Sequence, residues 1–300
     1  MSGGYALGID GGGTKTEAII VDASARVIGS GIAGSSNTSF IPHREAVDAY
    51  VSAISAALRD ASLEAGDIER AGCTFASAAP EAFGKLGIAA APRIYSELSV
   101  AFERAVMERV VGVAVIAGTG SHAAGRTADG RTHSVGGWGA VIGDDGSAYD
   151  IGIRAIRRAL MGADGRLPPT LLTQAVCDYF GVGSVRGVVG RLCGTKVQLS
   201  LVAGFAAKVS EIANAGDEAA AGIIEIAGQE LGEMAAFVAS KLFGTDDEFA
   251  VVLAGGVFNA GELVVDPIRG TIGPLFPAAR VVVARMRPGE AVARLALRER

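Results

Sequence analysis

The chain has 300 residues, half of them hydrophobic, which is enough for about two globular domains with sizeable cores. The formal net charge of -5 and the absence of any basic run argue against nucleic acid or a membrane surface as a partner. No apolar stretch reaches the ~18 residues of a membrane span, and the start does not resemble a signal peptide. We therefore expect a cytoplasmic protein with a small-molecule partner.

The first predicted elements are two apolar strands, residues 5–7 and 18–21, joined by a glycine-rich turn. Consecutive glycines let backbone N–H groups approach a ligand that any Cβ would push away, and such N–H groups form an anion-binding concavity. Hydroxyl and ammonium groups in the same turn add donors and positive charge. The residues that predict a phosphate-binding turn are Gly11, Gly12, Gly13, Thr14 and Lys15.

Asp10 directly precedes these glycines, where a carboxylate would repel phosphate unless a cation lies between them. Mg²⁺ is commonly held by one or two carboxylates, several waters and phosphate oxygens, so Asp10 is predicted to bind Mg²⁺ through water. Two alternatives remain. A P-loop has lysine directly after glycine and a helix next, whereas here Thr14 intervenes and a strand follows. A hairpin without a ligand would explain the glycines but not Asp10, Thr14 and Lys15 together.

The remainder of the first half alternates strands and helices. Residues 26–33 are a third predicted strand, and a polar loop containing Asn37 follows. Apolar residues at helical spacing predict a helix over 43–63. The later predicted elements are strands at 71–75 and 93–95, a helix at 80–86 between them, and a helix from Glu97 to residue 109.

The strand, turn and strand pattern occurs a second time from residue 110. Residues 113–117 are a strand, and further strands at 121–126 and 131–135 complete a second meander. Two copies of a phosphate-binding hairpin suggest two homologous halves that face each other across a cleft, each holding part of a polyphosphate. A fortuitous repeat is the alternative. The second turn contains Gly118, Thr119, Gly120 and Ser121.

The last part of the chain is mostly helical. Predicted helices cover residues 148–161, 168–180, 184–192, 200–214 and 217–243. A strand at 250–254 runs into Gly255 and Gly256, and a strand at 281–284 and a helix at 289–298 close the chain. Strands mixed with helices throughout predict an α/β fold.

These motifs, in this order, resemble the sugar kinase, Hsp70 and actin superfamily of ATPases. Asp10 with its glycines resembles the first phosphate motif, residues 117–121 the second, and residues 253–257 the adenosine motif. Residues 136–149 are similar to the matching stretch of N-acetylglucosamine kinases within the BadF/BadG/BcrA/BcrD ATPase family. The resemblance runs from about residue 5 to about residue 297.

The resemblance implies two ribonuclease H-like (actin-like ATPase) domains that face each other across a nucleotide- and substrate-binding cleft. Residues 1–109 would form an N-terminal ATPase and sugar-binding domain. Residues 110–300 would form a C-terminal ATPase domain with helical additions, its last helix being able to pack back on the N-terminal domain. The resemblance also implies a homodimer.

The implied activity is ATP-dependent phosphorylation of an amino sugar, with N-acetylglucosamine as expected substrate, its 6-phosphate as product, and ATP and Mg²⁺ as cofactors. Trp138, the only tryptophan, would offer a stacking face to the sugar, and filling of the core is its alternative role. The implied nucleotide-binding residues are Gly11, Gly12, Gly13, Thr14, Lys15, Gly118, Thr119, Gly120, Ser121, Gly255 and Gly256. The implied sugar contacts are Asn37, Gly137, Trp138, Gly139 and Asp144.

Glu97 stands where kinases of this family usually carry Asp as the base for the sugar hydroxyl, so Glu97 and Asp10 are the predicted catalytic residues. A carboxylate that simply favours a helix N-terminus is the alternative for Glu97. Residues 74–80 form a second departure, because they contain no Asp where the sugar kinases tend to have one.

Three other functions remain open: an ATPase of the same fold with another or no sugar substrate, an activator of a radical dehydratase or reductase, and a sugar-responsive transcription regulator. The activator would need cysteines near the second turn, where none occurs, and the regulator a helix-turn-helix before the first strand. Cys73, Cys177 and Cys193 lie far apart, which indicates free thiols in a reducing cytoplasm.

Overall fold

The computed structural model describes residues 4–38, 41–75, 77–192 and 199–298. The chain divides into two compact units, Met1–Val110 with Ala284–Arg300, and Val111–Val283. No helix in the described part of the chain is long and apolar enough to cross a membrane. Cys73 and Cys177 are free thiols, as predicted, whereas Cys193 lies outside the described residues.

The first unit is built on a five-stranded sheet of order β3-β2-β1-β4-β5. The first three strands form an antiparallel meander, and β4 and β5 join in parallel. The strands are β1 (Tyr5–Gly11), β2 (Thr16–Val21), β3 (Val27–Ala33), β4 (Ile68–Cys73) and β5 (Pro92–Ile94). Helices α1 (His43–Ala61) and α2 (Ala79–Leu86) lie between these strands in sequence, and α3 (Glu97–Arg104) follows β5.

The second unit repeats this topology, because its sheet has the order β10-β9-β6-β7-β8, again with an antiparallel meander and two parallel strands. Its strands are β6 (Gly112–Ala117), β7 (Ser121–Arg126), β8 (Thr132–Gly136), β9 (Ala250–Ala254) and β10 (Arg280–Val283). Its helices are α4 (Ala148–Ala163), α5 (Leu171–Phe180), α6 (Val188–Leu192), α7 (Leu199–Asn214), α8 (Glu218–Leu242) and α9 (Glu262–Ile272). The predicted repeat of three strands thus extends to five.

The last helix, α10 (Pro288–Arg298), belongs to the first unit and packs directly on β1. A Cβ on Gly8 would lie 2.2 Å from both the Ala293 nitrogen and the Gly289 oxygen, so only glycine permits this approach. Gly8 is therefore explained by helix packing. The prediction that β1 ends at residue 7 was wrong, since the strand continues to Gly11.

The first sheet is covered on both faces. Leu7 and Ile9 belong to one core cluster with α1, whereas Ala6 and Ile19 belong to another with α3 and α10. This division follows the alternation of side chains along a strand, and it places every second residue of β1 toward α3 and α10.

The largest differences from the predicted helices concern α9 and α3. Helix α9 was missed because Pro267 and Gly270 interrupt the expected pattern, although it packs on α8 so closely that a Cβ on Gly228 would meet the Val264 oxygen at 2.5 Å. Helix α3 ends at Arg104 rather than at residue 109, and Val106 shortly afterwards adopts a left-handed φ of 57°.

Candidate active site

Asp10 lies near the end of β1, directly opposite Glu17 of β2. It shares its strand face with Ala6 and Gly8, which is the face covered by α3 and α10. The predicted metal-binding carboxylate is therefore half-buried where the sheet meets these two helices.

Thr74 holds the Asp10 carboxylate. Its hydroxyl donates to Asp10 Oδ1 at 3.0 Å and accepts from the Gly11 N–H at 3.1 Å. Thr74 directly follows β4, the parallel neighbour of β1, and its own N–H donates to the Ile9 carbonyl at 3.1 Å. Sequence reasoning did not identify Thr74, although parallel neighbouring strands end at one edge of a sheet and could have indicated it.

The charge environment of Asp10 includes two further carboxylates. The pKa of Asp10 is raised to about 6, chiefly by burial. The Thr74 hydrogen bond and the charge of Arg104 lower this pKa, whereas the charges of Glu17 and Glu97 help to raise it. Glu97 and Arg104, both on α3, are therefore among the charges that act on Asp10. They are seven positions apart, about two turns, so one side of α3 carries both charges.

Glu17 is a carboxylate of 2% exposure inside an otherwise apolar strand. Its Oε1 accepts from Arg287 Nη2 at 3.2 Å and lies 3.6 Å from Lys15 Nζ, and its Oε2 accepts from the Gly289 N–H at 3.1 Å. These groups satisfy the buried charge, as such a charge requires. The sequence alone did not identify Glu17 or Arg287. A glutamate within a mostly apolar strand could have indicated a buried ion pair.

The first glycine turn is a tight connection between β1 and β2. The Gly12 N–H donates to the Lys15 carbonyl at 3.0 Å, so that group closes the turn itself. The Gly12 carbonyl accepts from the Ser36 N–H and from Ser35 Oγ, both at 3.1 Å, which ties the loop before Asn37 to the turn. A strand follows, so the P-loop alternative is wrong.

Glu97 is the first residue of α3, but it is not the N-cap. Ser96 has that position, and its side chain accepts from the Ser99 N–H at 3.2 Å. The helix end is therefore already capped without Glu97. Its role as base stays a prediction, which the nearby Asp10 supports.

The second glycine turn is held by backbone and hydroxyl contacts. The Gly118 N–H donates to the Gly120 carbonyl at 2.9 Å, and the Gly118 carbonyl accepts from the Ala148 N–H at 2.9 Å. Ser121 Oγ donates to the Asp145 carbonyl at 2.7 Å, and the Gly137 N–H donates to the Ser121 carbonyl at 2.9 Å. The structure thus brings this turn and the loop before α4 together.

Asp144 of that loop is buried and adopts a left-handed φ of 59°. Its Oδ1 accepts from the Gly139 N–H at 3.3 Å, and a Cβ on Gly120 would lie 2.4 Å from its Oδ2. The carboxylate therefore points into the second turn, whereas Asp145 is exposed. Trp138 is 76% exposed, so the core-filling alternative for this residue is wrong.

Backbone packing requires a glycine at position 255 but not at position 256. Gly255 has a φ of 130°, and a Cβ there would lie 2.1 Å from the Ala117 carbonyl oxygen, so backbone packing on β6 explains it. A Cβ on Gly256 would meet nothing within 4 Å. Of the pair, Gly256 is the glycine that packing leaves unexplained, and its adenosine contact stays a prediction.

The Asp10 region suits Mg²⁺ bound with a nucleotide better than a metal held by protein alone. Within the described residues no group of three or more His, Cys, Asp or Glu side chains could hold a metal ion. Mg²⁺ commonly needs only one or two carboxylates when waters and phosphate oxygens complete its shell. A half-buried carboxylate beside a glycine turn meets that requirement.

Two sequence relatives are similar along almost their whole length. The chain is 28% identical over 286 residues to the N-acetylmuramic acid/N-acetylglucosamine kinase of Clostridium acetobutylicum, covering 93% of each protein. It is 26% identical over 315 residues to the N-acetyl-D-glucosamine kinase of Dictyostelium discoideum, covering 99% of each.

Solved structures share the fold. A Chromobacterium violaceum protein described as a candidate N-acetylglucosamine kinase matches with a TM-score of 0.72 at 25% identity, covering 99% of this chain and 100% of its own. A ROK family glucokinase from Streptomyces griseus, solved with glucose and AMPPNP, matches with a TM-score of 0.68 at 20% identity and the same coverage. These matches confirm the predicted α/β fold of the actin-like ATPase and sugar kinase type.

A family model also matches residues 7–273. The matched range contains both glycine turns, Glu97, the loop with Asp144, and the end of β9. The chain therefore belongs to the BadF/BadG/BcrA/BcrD ATPase family.

Proposed function

We propose that this protein is a kinase that transfers the γ-phosphoryl group of ATP to an amino sugar, with N-acetylglucosamine as substrate and the 6-phosphate as product. The observation that carries the proposal is the Asp10 carboxylate, which is half-buried beside a glycine turn. The charge of Glu97 helps to raise the pKa of this carboxylate. The activities named for the Clostridium and Dictyostelium relatives support the choice of an amino sugar.

Phosphoryl transfer requires mainly positioning and charge neutralisation. Mg²⁺, held through water by Asp10, would neutralise phosphate charge. In the first unit, N–H groups beyond Gly12 and the Lys15 ammonium would bind phosphate oxygens, since the Gly12 N–H closes the turn. In the second unit, the turn at Gly118–Gly120 would bind phosphate, and the backbone at Gly256 would lie against adenosine.

Glu97 would act as the general base. As the sugar hydroxyl oxygen bonds to the γ-phosphorus, its proton would move to a Glu97 carboxylate oxygen, and the bond to the ADP oxygen would break. Glu is one methylene longer than the usual Asp, so the carboxylate stands at a different distance from the helix backbone.

The proposed sugar contacts lie on loops. Asn37 follows the segment that is tied to Gly12, and Trp138 presents an exposed aromatic face suited to a sugar ring. Asp144, with Gly137 and Gly139 beside it, would accept hydrogen bonds from sugar hydroxyls.

The test is an assay of ADP release with Mg²⁺ for N-acetylglucosamine, N-acetylmuramic acid, glucosamine, glucose and no sugar, with the phosphorylated position assigned by NMR. The expected result is stimulation by N-acetylated sugars and phosphate on oxygen 6. Equal ADP release with and without every sugar would contradict the kinase proposal.

An ATPase with another or no sugar substrate is the second candidate. It is favoured by Glu97 in place of Asp and by the lack of Asp in residues 74–80. Its signature is ATP hydrolysis that no sugar in the panel stimulates. An activator role would need cysteines near the second glycine turn, and the sequence has none there.

A further inference from the structure

We infer that Thr74 is a positioning residue for the nucleotide-bound metal: its hydroxyl joins the Asp10 carboxylate to the Gly11 N–H and so fixes where that carboxylate points. This inference rests on the proposed role of Asp10 and is independent of which sugar is phosphorylated.

The hydrogen bonds around Thr74 define its orientation. Its hydroxyl hydrogen goes to Asp10 Oδ1 at 3.0 Å, and its lone pair accepts the Gly11 N–H at 3.1 Å. A hydroxyl has a single hydrogen, so donation in one direction fixes acceptance in the other. The side chain therefore links the carboxylate to the backbone of the same glycine turn. One carboxylate oxygen is held, and rotation of the group is restricted.

The backbone of Thr74 is itself anchored. Its N–H donates to the Ile9 carbonyl at 3.1 Å, one step beyond the paired residues Ile9 and Cys73. The following carbonyl, that of Phe75, accepts from the hydroxyl of the fully buried Tyr50 at 2.6 Å. Hydrogen bonds to Ile9 and from Tyr50 thus fix the backbone on either side of the Thr74 side chain. A side chain can position another group only if its own backbone is fixed in this way.

The second sheet provides an internal comparison. Counting back from the last pairs of each hairpin, Gly11 with Thr16 and Ala117 with Ser121, Asp10 corresponds to Ile116. By the same register the Thr74 position corresponds to Ala254, which pairs with Ile116. A polar pair in one sheet thus stands where the other has an apolar pair. Because the second sheet forms without either polar group, this topology does not require the Thr74 hydroxyl. The hydroxyl is present only in the sheet that also has the Asp10 carboxylate.

A purely structural role is the alternative, because any buried hydrogen bond can stabilise a fold. The two roles differ in their dependence on Mg²⁺. The test uses calorimetric binding of AMPPNP, with Mg²⁺ and separately with EDTA, to the wild type and to Thr74→Val and Thr74→Ser. Val keeps the shape without the hydroxyl, and Ser keeps the hydroxyl.

The expected result is that Mg²⁺ tightens AMPPNP binding to the wild type and to Thr74→Ser. The gain from Mg²⁺ should shrink roughly tenfold to a hundredfold in Thr74→Val, the range expected for a hydrogen bond to a charged group. Binding in EDTA should change little. Thr127→Val is the matched control, since Thr127 also donates to a carboxylate, that of Asp129, in the β7–β8 turn. It should keep the full gain.

An unchanged gain from Mg²⁺ in Thr74→Val would overturn the inference, as would a folded Thr74→Ser that behaves like Val. A wild type with no gain from Mg²⁺ would overturn both this inference and the metal role of Asp10. A wild type that binds Mg²⁺ with AMPPNP but phosphorylates no sugar would refute only the sugar kinase proposal. If Thr74→Val does not fold, Thr74→Ala against Thr74→Ser gives the same comparison.

Discussion

The β1–β2 turn and the β6–β7 turn occupy the same place in two sheets of the same topology, yet they are built differently. The first has two carboxylates directly opposite each other, Asp10 and Glu17, where the second has Ile116 and His122. Like charges at opposed strand positions are destabilising. The first turn therefore needs compensating groups that the second does not.

The compensation comes from distant segments. Arg287 and the Gly289 N–H bind Glu17, and Thr74 binds Asp10. The second turn is held instead by short contacts with the loop before α4, such as Ser121 Oγ to the Asp145 carbonyl. A duplicated topology can thus carry an opposed pair of carboxylates in one copy only. Destabilising charge retained in one copy indicates a functional role there.

Among variants that test the contrast between the two turns, Glu97→Gln is expected to have the largest effect on activity. If Glu97 is the base, kcat should fall by roughly 10²–10⁴-fold with little change in sugar affinity, because the amide cannot take the proton. Glu97→Asp should keep more activity, since it retains the carboxylate. Steady-state kinetics with the best sugar of the panel measures both, and a parental rate in the Gln variant would refute the assignment.

Asp10→Asn should lower Mg²⁺-dependent turnover by about a hundredfold or more, because one charge-stabilising group is typically worth on the order of 3 kcal/mol. Asn can still accept the Thr74 hydrogen bond, so the turn should keep its shape. Turnover at saturating Mg²⁺ is the measurement, and circular dichroism checks the fold. Near-normal turnover would remove Asp10 from the metal site.

The same variant should be more stable than the wild type at neutral pH when EDTA is present. Burial holds the pKa of Asp10 at about 6 in the folded protein against an ordinary value of 3.8, so the folded state binds this proton more tightly. Its stabilising contribution is complete below about pH 4 and is lost as pH rises through about 6. By linkage, this loss amounts to on the order of 3 kcal/mol in the free energy of unfolding of the wild type.

Denaturant unfolding of both proteins between pH 4 and 8 tests this sign. The advantage of Asp10→Asn in free energy of unfolding should grow as pH rises from about 4 to about 6 and level off above that pH. An advantage that shrinks with rising pH would mean that the folded state favours the charged carboxylate.

Ile116→Asp should break the contrast by placing a carboxylate opposite His122 in the second sheet, where Ala254 stands in the place of Thr74. We expect a loss of about 2–3 kcal/mol in the free energy of unfolding, from lost apolar burial and a partly buried charge that no hydroxyl holds. Ile116→Val is the control and should cost about 0.5–1.5 kcal/mol. Equal stability of the Asp variant and the wild type would show that the second turn tolerates charge without help.

The smallest effect on stability is expected from Gly256→Ala, whose Cβ would meet nothing within 4 Å. Its free energy of unfolding should change by less than about 0.5 kcal/mol, whereas AMPPNP should bind roughly tenfold more weakly if adenosine lies against this backbone. Gly255→Ala is the contrast, because its Cβ would collide with the Ala117 carbonyl and should destabilise the fold itself. Unchanged AMPPNP affinity in Gly256→Ala would place adenosine elsewhere.

Sequence alone was sufficient for the features that depend on near neighbours in the chain. Alternating apolar residues and glycine turns predicted both meanders, and β7 and β9 have the predicted bounds. The start of α3 at Glu97 was also predicted, because its helical spacing begins after the polar residue Ser96. Such signals are local, since the period of a strand or helix is written in consecutive residues.

Tertiary structure decided what depends on contacts between distant segments. Thr74 reaches Asp10 across 64 positions, and Gly289 meets Glu17 across 272, so no local pattern marks either contact. The same holds for Gly255, a glycine that suggested ligand binding but is required by the backbone of β6, and for Gly8, which the backbone of α10 requires. A missing side chain looks the same in sequence whether a ligand or another backbone takes its place. Only the packed fold distinguishes the two.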